Sequence, residues 1–125
     1  MTGHFILCKI STSFDQSVQT LQTQFGKIHY EQWNSMQGRV AIMLDESYFF
    51  RSNSTSAILV VIKEIGVSET NIEIVSCAGD SGLAGFSWGA ESAYGHDVLK
   101  NLRKSGFEVE VLKEISYYDS SMRLS

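Results

Sequence analysis

The chain has 125 residues and a formal net charge of −4, from 10 Lys and Arg against 14 Asp and Glu. This length fits one domain, and a hydrophobic content of 43% is enough to bury a core without disulfides or metal. The acidic balance excludes the basic surface that phosphate contacts require, so nucleic acid is not an expected partner.

The apolar residues fall in short runs, and none approaches the roughly 18 to 20 residues of a membrane span. The N-terminal segment lacks a basic region and a continuous apolar stretch, so it does not resemble a signal peptide and predicts a cytoplasmic protein. Cys8 and Cys77 lie in separate strand-like runs, without CxxC spacing or clustered histidines. Reduced, buried thiols are therefore expected, with no metal and no cofactor.

The first two predicted elements are a strand and a helix. His4–Ile10 is apolar on both alternating faces, which is typical of a strand inside a sheet. Ser13 and Gln16 then match a capping box, and apolar residues follow at helical spacing as far as Phe25. Gly26 stands where a left-handed residue commonly ends a helix.

Four strand-like runs follow, at 27–34, 39–50, 56–65 and 71–77. A second helix is predicted over 90–105, because it carries an apolar stripe and ends on basic residues before Gly106. An alternating run over 107–115 predicts the last strand. We expect one domain over residues 1–116 and a flexible, Ser-rich tail over 117–125.

The element order β-α-β-β-β-β-α-β predicts an α+β fold, in which a mostly antiparallel sheet of five to six strands carries both helices on one face. The strands nevertheless have apolar residues on both faces, and two helices can cover only one. The residues in question are Phe5, Leu7, Ala41, Met43, Leu59 and Val61. A homodimer or larger homo-oligomer, formed through the sheet face or through a strand edge, is expected to cover the remainder.

Residues 79–89 hold four of the ten glycines, between a predicted strand and a predicted helix. Glycine lets a ligand approach the main chain closely, so this segment is the candidate binding site. No Lys or Arg lies between Lys63 and Lys100, whereas six carboxylates do, so phosphate would be repelled. A small neutral or cationic ligand fits better, with aromatic rings for stacking and carboxylates as counter-charges. The candidate ligand-binding residues are Asp80, Ser81, Phe86, Ser87, Trp88 and Glu91.

Gly85–Gly89 also matches G-x-S-x-G, the pattern of a serine nucleophile on a tight strand-to-helix turn. That chemistry needs an acid and a histidine downstream, and the one downstream histidine, His96, falls on the polar side of the second helix. The sequence favours structural roles for the loop residues over ligand binding, with Trp88 as an anchor of the loop to the core. We therefore predict a non-catalytic binding or assembly domain. The alternative is a small serine hydrolase that uses Ser87, or in second place Ser81, with His96.

Overall fold

A computed structural model describes residues 3–49, 54–78, 90–118 and residue 121. These residues form six strands and two helices in the predicted order, which confirms the α+β fold. The elements are β1 (Gly3–Ile10), α1 (Phe14–Gln22), β2 (His29–Ser35), β3 (Gly38–Phe49), β4 (Ser54–Gly66), β5 (Glu69–Ala78), α2 (Ala90–Lys104) and β6 (Val109–Tyr118). The final strand includes the first two residues of the predicted tail, and the division into domain and tail stays a prediction.

The start of α1 follows the predicted cap. Ser13 has an extended backbone, and its Oγ accepts a hydrogen bond from the backbone N–H of Gln16 at 3.2 Å. The helix ends at Gln22, before the end of its apolar stripe. Phe25, the last residue of that stripe, lies beyond the helix, although its N–H still donates to the carbonyl of Leu21 at 2.8 Å. Gly26 adopts the expected left-handed conformation, with φ of 83°.

All six strands form one antiparallel sheet in the order β2-β3-β4-β5-β1-β6. Residues that pair across the strands point to the same face, so the register assigns each side chain to one of two faces. Both helices pack on one of these faces and bury it. The largest fully buried side chains on this helix-covered face include Ile6, Met43, Ile62 and Ile74 from the sheet, and Phe14, Leu21 and Leu102 from the helices.

The opposite face, which we call the open face, carries a continuous apolar band. One row of paired residues crosses five strands, and a second row adds further apolar positions. The first row consists of Leu44, Leu59, Val75, Phe5 and Ile115. The second row adds Ile42, Val61 and Leu7, with Glu73 between Val61 and Leu7 and with Lys113 beyond Leu7. All of these side chains are half-buried by their neighbours in the sheet. Ala41 and Met43 lie instead on the helix-covered face, fully buried.

Candidate functional site

The glycine-rich segment lies outside the described residues. Asp80, Ser81, Phe86, Ser87 and Trp88 all fall within 79–89, and the side chain of Glu91 is likewise not described. Their assignment as ligand-binding residues stays a prediction. The structure does describe the two elements that this segment joins, β5 and α2. Polar side chains gather between them.

Buried polar residues concentrate at one end of the helix-covered face. One row of paired residues crosses four strands there and contains Asp45, Ile58, Ser76 and His4. Its three polar members are each less than one-tenth exposed. The neighbouring Ser56 is also fully buried, and its Oγ has no hydrogen-bond partner within the described part of the chain. Burying so many polar groups is costly unless they are paired, so this end of the face merits a functional explanation.

Two histidines meet one carboxylate at this end. Nε2 of His4 on β1 and Nε2 of His96 on α2 each lie 2.7 Å from Oε2 of Glu114 on β6. The imidazole N–H donates and the carboxylate oxygen accepts. The two ring centroids are 6.0 Å apart. The cluster is graded from inside to outside, since the side chain of His4 is 4% exposed, that of Glu114 34% and that of His96 49%.

An irregularity in β6 directs Glu114 towards the histidines. Val111 pairs with Cys8 on the helix-covered face, but Lys113 pairs with Leu7 on the open face, so Leu112 is an extra residue in the ladder. Without this bulge, strict alternation would place Glu114 on the open face. With it, Glu114 pairs with Ile6 and reaches the helix-covered face. Bulges commonly redirect a side chain beside a functional site in this way.

Gly95 brings α2 close to the sheet beside the cluster. A Cβ at this position would lie 3.2 Å from Cδ1 of Ile6, 3.6 Å from Oγ of Ser76 and 3.7 Å from Cδ2 of His4. The missing side chain therefore sets the close approach of helix and sheet. As the next residue along the helix, His96 is held where its ring can meet Glu114.

The cluster keeps Glu114 ionised. Burial by itself would raise the pKa of this carboxyl group, but hydrogen bonds from His96 and His4 outweigh it and hold the pKa below the ordinary value of 4.5. The result is a carboxylate shared by two imidazole rings. Two imidazole rings in contact with one carboxylate can exchange protons, or their nitrogen and oxygen atoms can act as ligands to a metal ion.

Sequence patterns did not predict that His4, His96 and Glu114 lie together. His4 is the first residue of the run that predicts β1, and nothing in that run indicates that its side chain is buried beside α2, where it is 3% exposed. His96 was expected on a polar helix surface, and it is half-exposed as predicted, but its ring contacts Glu114. Among the described residues these three form the one group of His, Cys, Asp or Glu donors compatible with a metal ion. Positions 4 and 114 become neighbours only through strand pairing, which no local spacing reveals.

A second polar cluster has a structural explanation. The guanidinium of Arg39 on β3 contacts Asp15 of α1 at 2.8 Å and Glu64 of β4 at 3.0 Å, and its Cζ lies 4.7 Å from the centroid of the Phe14 ring. The side-chain and backbone hydrogen bonds from Arg39 hold the pKa of Glu64 below its ordinary value. This arrangement ties the first turn of α1 to the sheet.

No protein-family model matches this chain, and no curated protein matches it either. Neither helix in the described ranges is long and apolar enough to cross a membrane.

Proposed function

We propose that this protein is a non-catalytic assembly domain that associates with a second copy of itself through the open face. The observation that carries the proposal is the apolar band across five strands of that face. Both described helices pack on the other face. Covering the band with a second sheet would remove apolar surface from water, which is the main favourable contribution to association.

The surroundings of the band favour a second copy as the occupant. The row next to the band carries basic residues that pair with carboxylates. Lys63 Nζ lies 2.7 Å from Oε2 of Glu73, which stands in the second row of the band, and Lys9 Nζ lies 3.9 Å from a carboxylate oxygen of Glu110. An apolar centre with a polar rim is the usual anatomy of a protein interface. A rim of mixed sign can meet its own copy across a two-fold axis, whereas a rim of one sign would repel it.

The strand edges are less suited to self-association than the open face. The edge strand β2 has mainly polar side chains, and all but the half-buried Tyr30 are exposed, including the apolar Trp33. The other edge, β6, is interrupted by the bulge at Leu112 and carries Glu110 and Glu114. Bulges and charged residues are features that disfavour pairing between edges. The sequence predicts self-association through either the sheet face or a strand edge, and we therefore propose association through the open face.

Matched charge substitutions test this proposal. Leu59→Glu places a carboxylate in the centre of the band, and Val67→Glu places the same group at a turn position that is 91% exposed. An unpaired buried charge costs several kcal/mol, so Leu59→Glu should raise the dimer dissociation constant by at least about 100-fold. Light scattering over a concentration series should show dimers for the wild type and Val67→Glu, and monomers of 13.9 kDa for Leu59→Glu. Equal masses for all three proteins would overturn the proposal.

The small serine hydrolase remains the second candidate. One observation favours it: His96 has a carboxylate partner in Glu114, and an acid beside the histidine is part of the chemistry that activates a serine. The nucleophile would be Ser87. Ser87→Ala should abolish hydrolysis of a small ester if this candidate is correct, and Ser92→Ala provides the matched control. Ester hydrolysis that is absent from the wild type, or unchanged in Ser87→Ala, would remove this candidate.

A small neutral or cationic ligand at residues 79–91 also remains part of the proposed function, independent of self-association. Its expected counter-charges are Asp80 and Glu91, with Phe86 and Trp88 as stacking surfaces. A thermal-shift series with neutral and cationic metabolites tests it. Stabilisation lost in Trp88→Ala would support the site, and no stabilisation by any member would count against it.

A further inference from the structure

We propose that His4, His96 and Glu114 form a binding site for a divalent first-row transition metal ion, with Zn²⁺ as the ion that fits best. The site uses Nε2 of both histidines and a carboxylate oxygen of Glu114. Each of the three residues offers one possible ligand atom, a ring nitrogen or a carboxylate oxygen, and these atoms all lie within 4.8 Å of one another. The site lies on the helix-covered face, so it is independent of the interface proposed for the open face.

The donor types select the class of ion. Two imidazole nitrogens and one carboxylate oxygen suit Zn²⁺ and its first-row neighbours, whereas Ca²⁺ and Mg²⁺ prefer oxygen ligands alone. Three protein ligands leave a fourth position of a tetrahedral site for water or another small ligand. That position would face outward, because His96 and Glu114 are the partly exposed members.

Metal binding requires the three ligand atoms to change their spacing. Ligands at about 2.0 to 2.1 Å in a tetrahedral site stand about 3.3 Å from one another. The two nitrogen-to-oxygen distances must therefore lengthen from 2.7 Å. The two Nε2 atoms must also come to about 3.3 Å from each other. His4 is fixed in the floor of the site, while the ring of His96, on the helix surface, has room to rotate.

Two features of the surrounding fold position these ligands. The bulge at Leu112 turns Glu114 towards the helix-covered face, and Gly95 lets α2 approach closely enough for His96 to reach it. Ligands held on a sheet and a helix reach a fixed geometry more readily than ligands on a loop.

A hydrogen-bonded cluster without metal and a metal site differ in the protonation of the two Nε2 atoms. In the hydrogen-bonded form each Nε2 carries a proton that it donates to Glu114. Metal binding needs a lone pair on Nε2, so a neutral ring must hold its proton on Nδ1 and a protonated ring must release one. Whether the two Nε2 atoms still carry protons in the presence of metal therefore distinguishes the two cases.

Titration with Co²⁺, followed by its visible absorption, and competition with Zn²⁺ test the site on the full chain without an affinity tag. We compare the wild type with His96→Ala and with His29→Ala, a matched control that removes an exposed histidine 3.8 Å from Glu31. The wild type and His29→Ala should bind one ion per chain. Loss of a partner that only orients a ligand weakens metal binding about 10- to 100-fold, so His96→Ala should weaken it by at least about 100-fold.

Nitrogen NMR of the imidazole rings provides the second measurement. Addition of Zn²⁺ should shift Nε2 of both His4 and His96, and leave His29 unchanged. Far-UV circular dichroism should show that His96→Ala is folded, as expected for a half-exposed residue. Absence of wild-type binding up to about 1 mM metal, equal affinity in His96→Ala and His29→Ala, or an Nε2 proton retained on both rings at saturating Zn²⁺ would each overturn the proposal.

Discussion

Nε2 of His4 and Oε2 of Glu114 lie 2.7 Å apart, although 110 residues separate them in the chain. The contact joins the start of β1 to the edge strand β6, and His96 of α2 joins the same oxygen. One carboxylate therefore links three elements at the end of the helix-covered face where the buried polar residues gather. Protonation of Glu114 should therefore change the free energy of unfolding of the whole domain.

Glu114→Gln should reduce the dependence of stability on acid pH. Because the pKa of Glu114 is lowered in the folded protein, its contribution is complete above the ordinary value of 4.5 and is lost as the pH falls through the folded value. Urea unfolding at about pH 6 and about pH 3 should show a smaller stability loss for the variant than for the wild type. The exposed Glu108→Gln is the control. A loss equal to that of the wild type would contradict the role of Glu114.

Substitutions at Gly95 should separate helix propensity from close packing. Gly95→Ala removes a helix penalty of about 0.8 to 1 kcal/mol but tightens the contact with Ile6, so its unfolding free energy should stay within about 1 kcal/mol of wild type. Gly95→Val adds bulk against Ile6 and Ser76 and should cost about 1 to 3 kcal/mol. Urea denaturation gives both values. Equal stability of the two variants would show that α2 is not held close at this position.

The two cysteines should differ in reactivity. Cys8 is fully buried on the helix-covered face, and burial raises the pKa of its thiol to about 12, so little reactive thiolate forms near neutral pH. Cys77 is half-buried and pairs with Ala57 on the open face, which differs from the expectation that both thiols are buried. Maleimide should label Cys77 slowly in the associated protein and faster in Leu59→Glu, and should leave Cys8 unlabelled in both. Fast labelling of Cys8 in the folded protein would be inconsistent with this core.

Removing the partners of Arg39 should have unequal effects. Glu64 accepts hydrogen bonds from both the backbone and the side chain of Arg39, whereas Asp15 is 74% exposed and meets the guanidinium alone. Exposed ion pairs contribute little to stability, so Glu64→Gln should lower the melting temperature more than Asp15→Asn. Differential scanning calorimetry measures both shifts. A larger shift for Asp15→Asn would reverse our assignment.

Hydrophobic periodicity was sufficient to predict the order of the elements and the two layers. The strands fall in short strand-like runs separated by polar or glycine-containing segments, and α1 has a capping residue and an apolar stripe that are both visible in the local sequence. Periodicity could not assign Met43 to the helix-covered face or Leu59 to the open face, because both faces of the central strands are apolar. That assignment needs the register.

The histidine cluster could not be predicted by the same means. Its position depends on the bulge at Leu112, and a one-residue irregularity reverses the side of every following residue in the strand. Glu110 and Glu114 have the same parity in sequence, yet they lie on opposite faces. The glycine-rich segment was the most visible local signal, but its residues 79–89 lie outside the described part of the chain.

Intermolecular contacts between methyl groups test the proposed self-association most directly. A sample mixed from isotope-labelled and unlabelled chains reports nuclear Overhauser effects between copies only. We expect such effects among the methyl groups of Leu7, Leu59 and Val75 on the open face, and none from the buried Val98 and Leu102 of α2. Intermolecular effects confined to β2 or to the helices, or none at a concentration where light scattering gives a dimer, would contradict association through the open face.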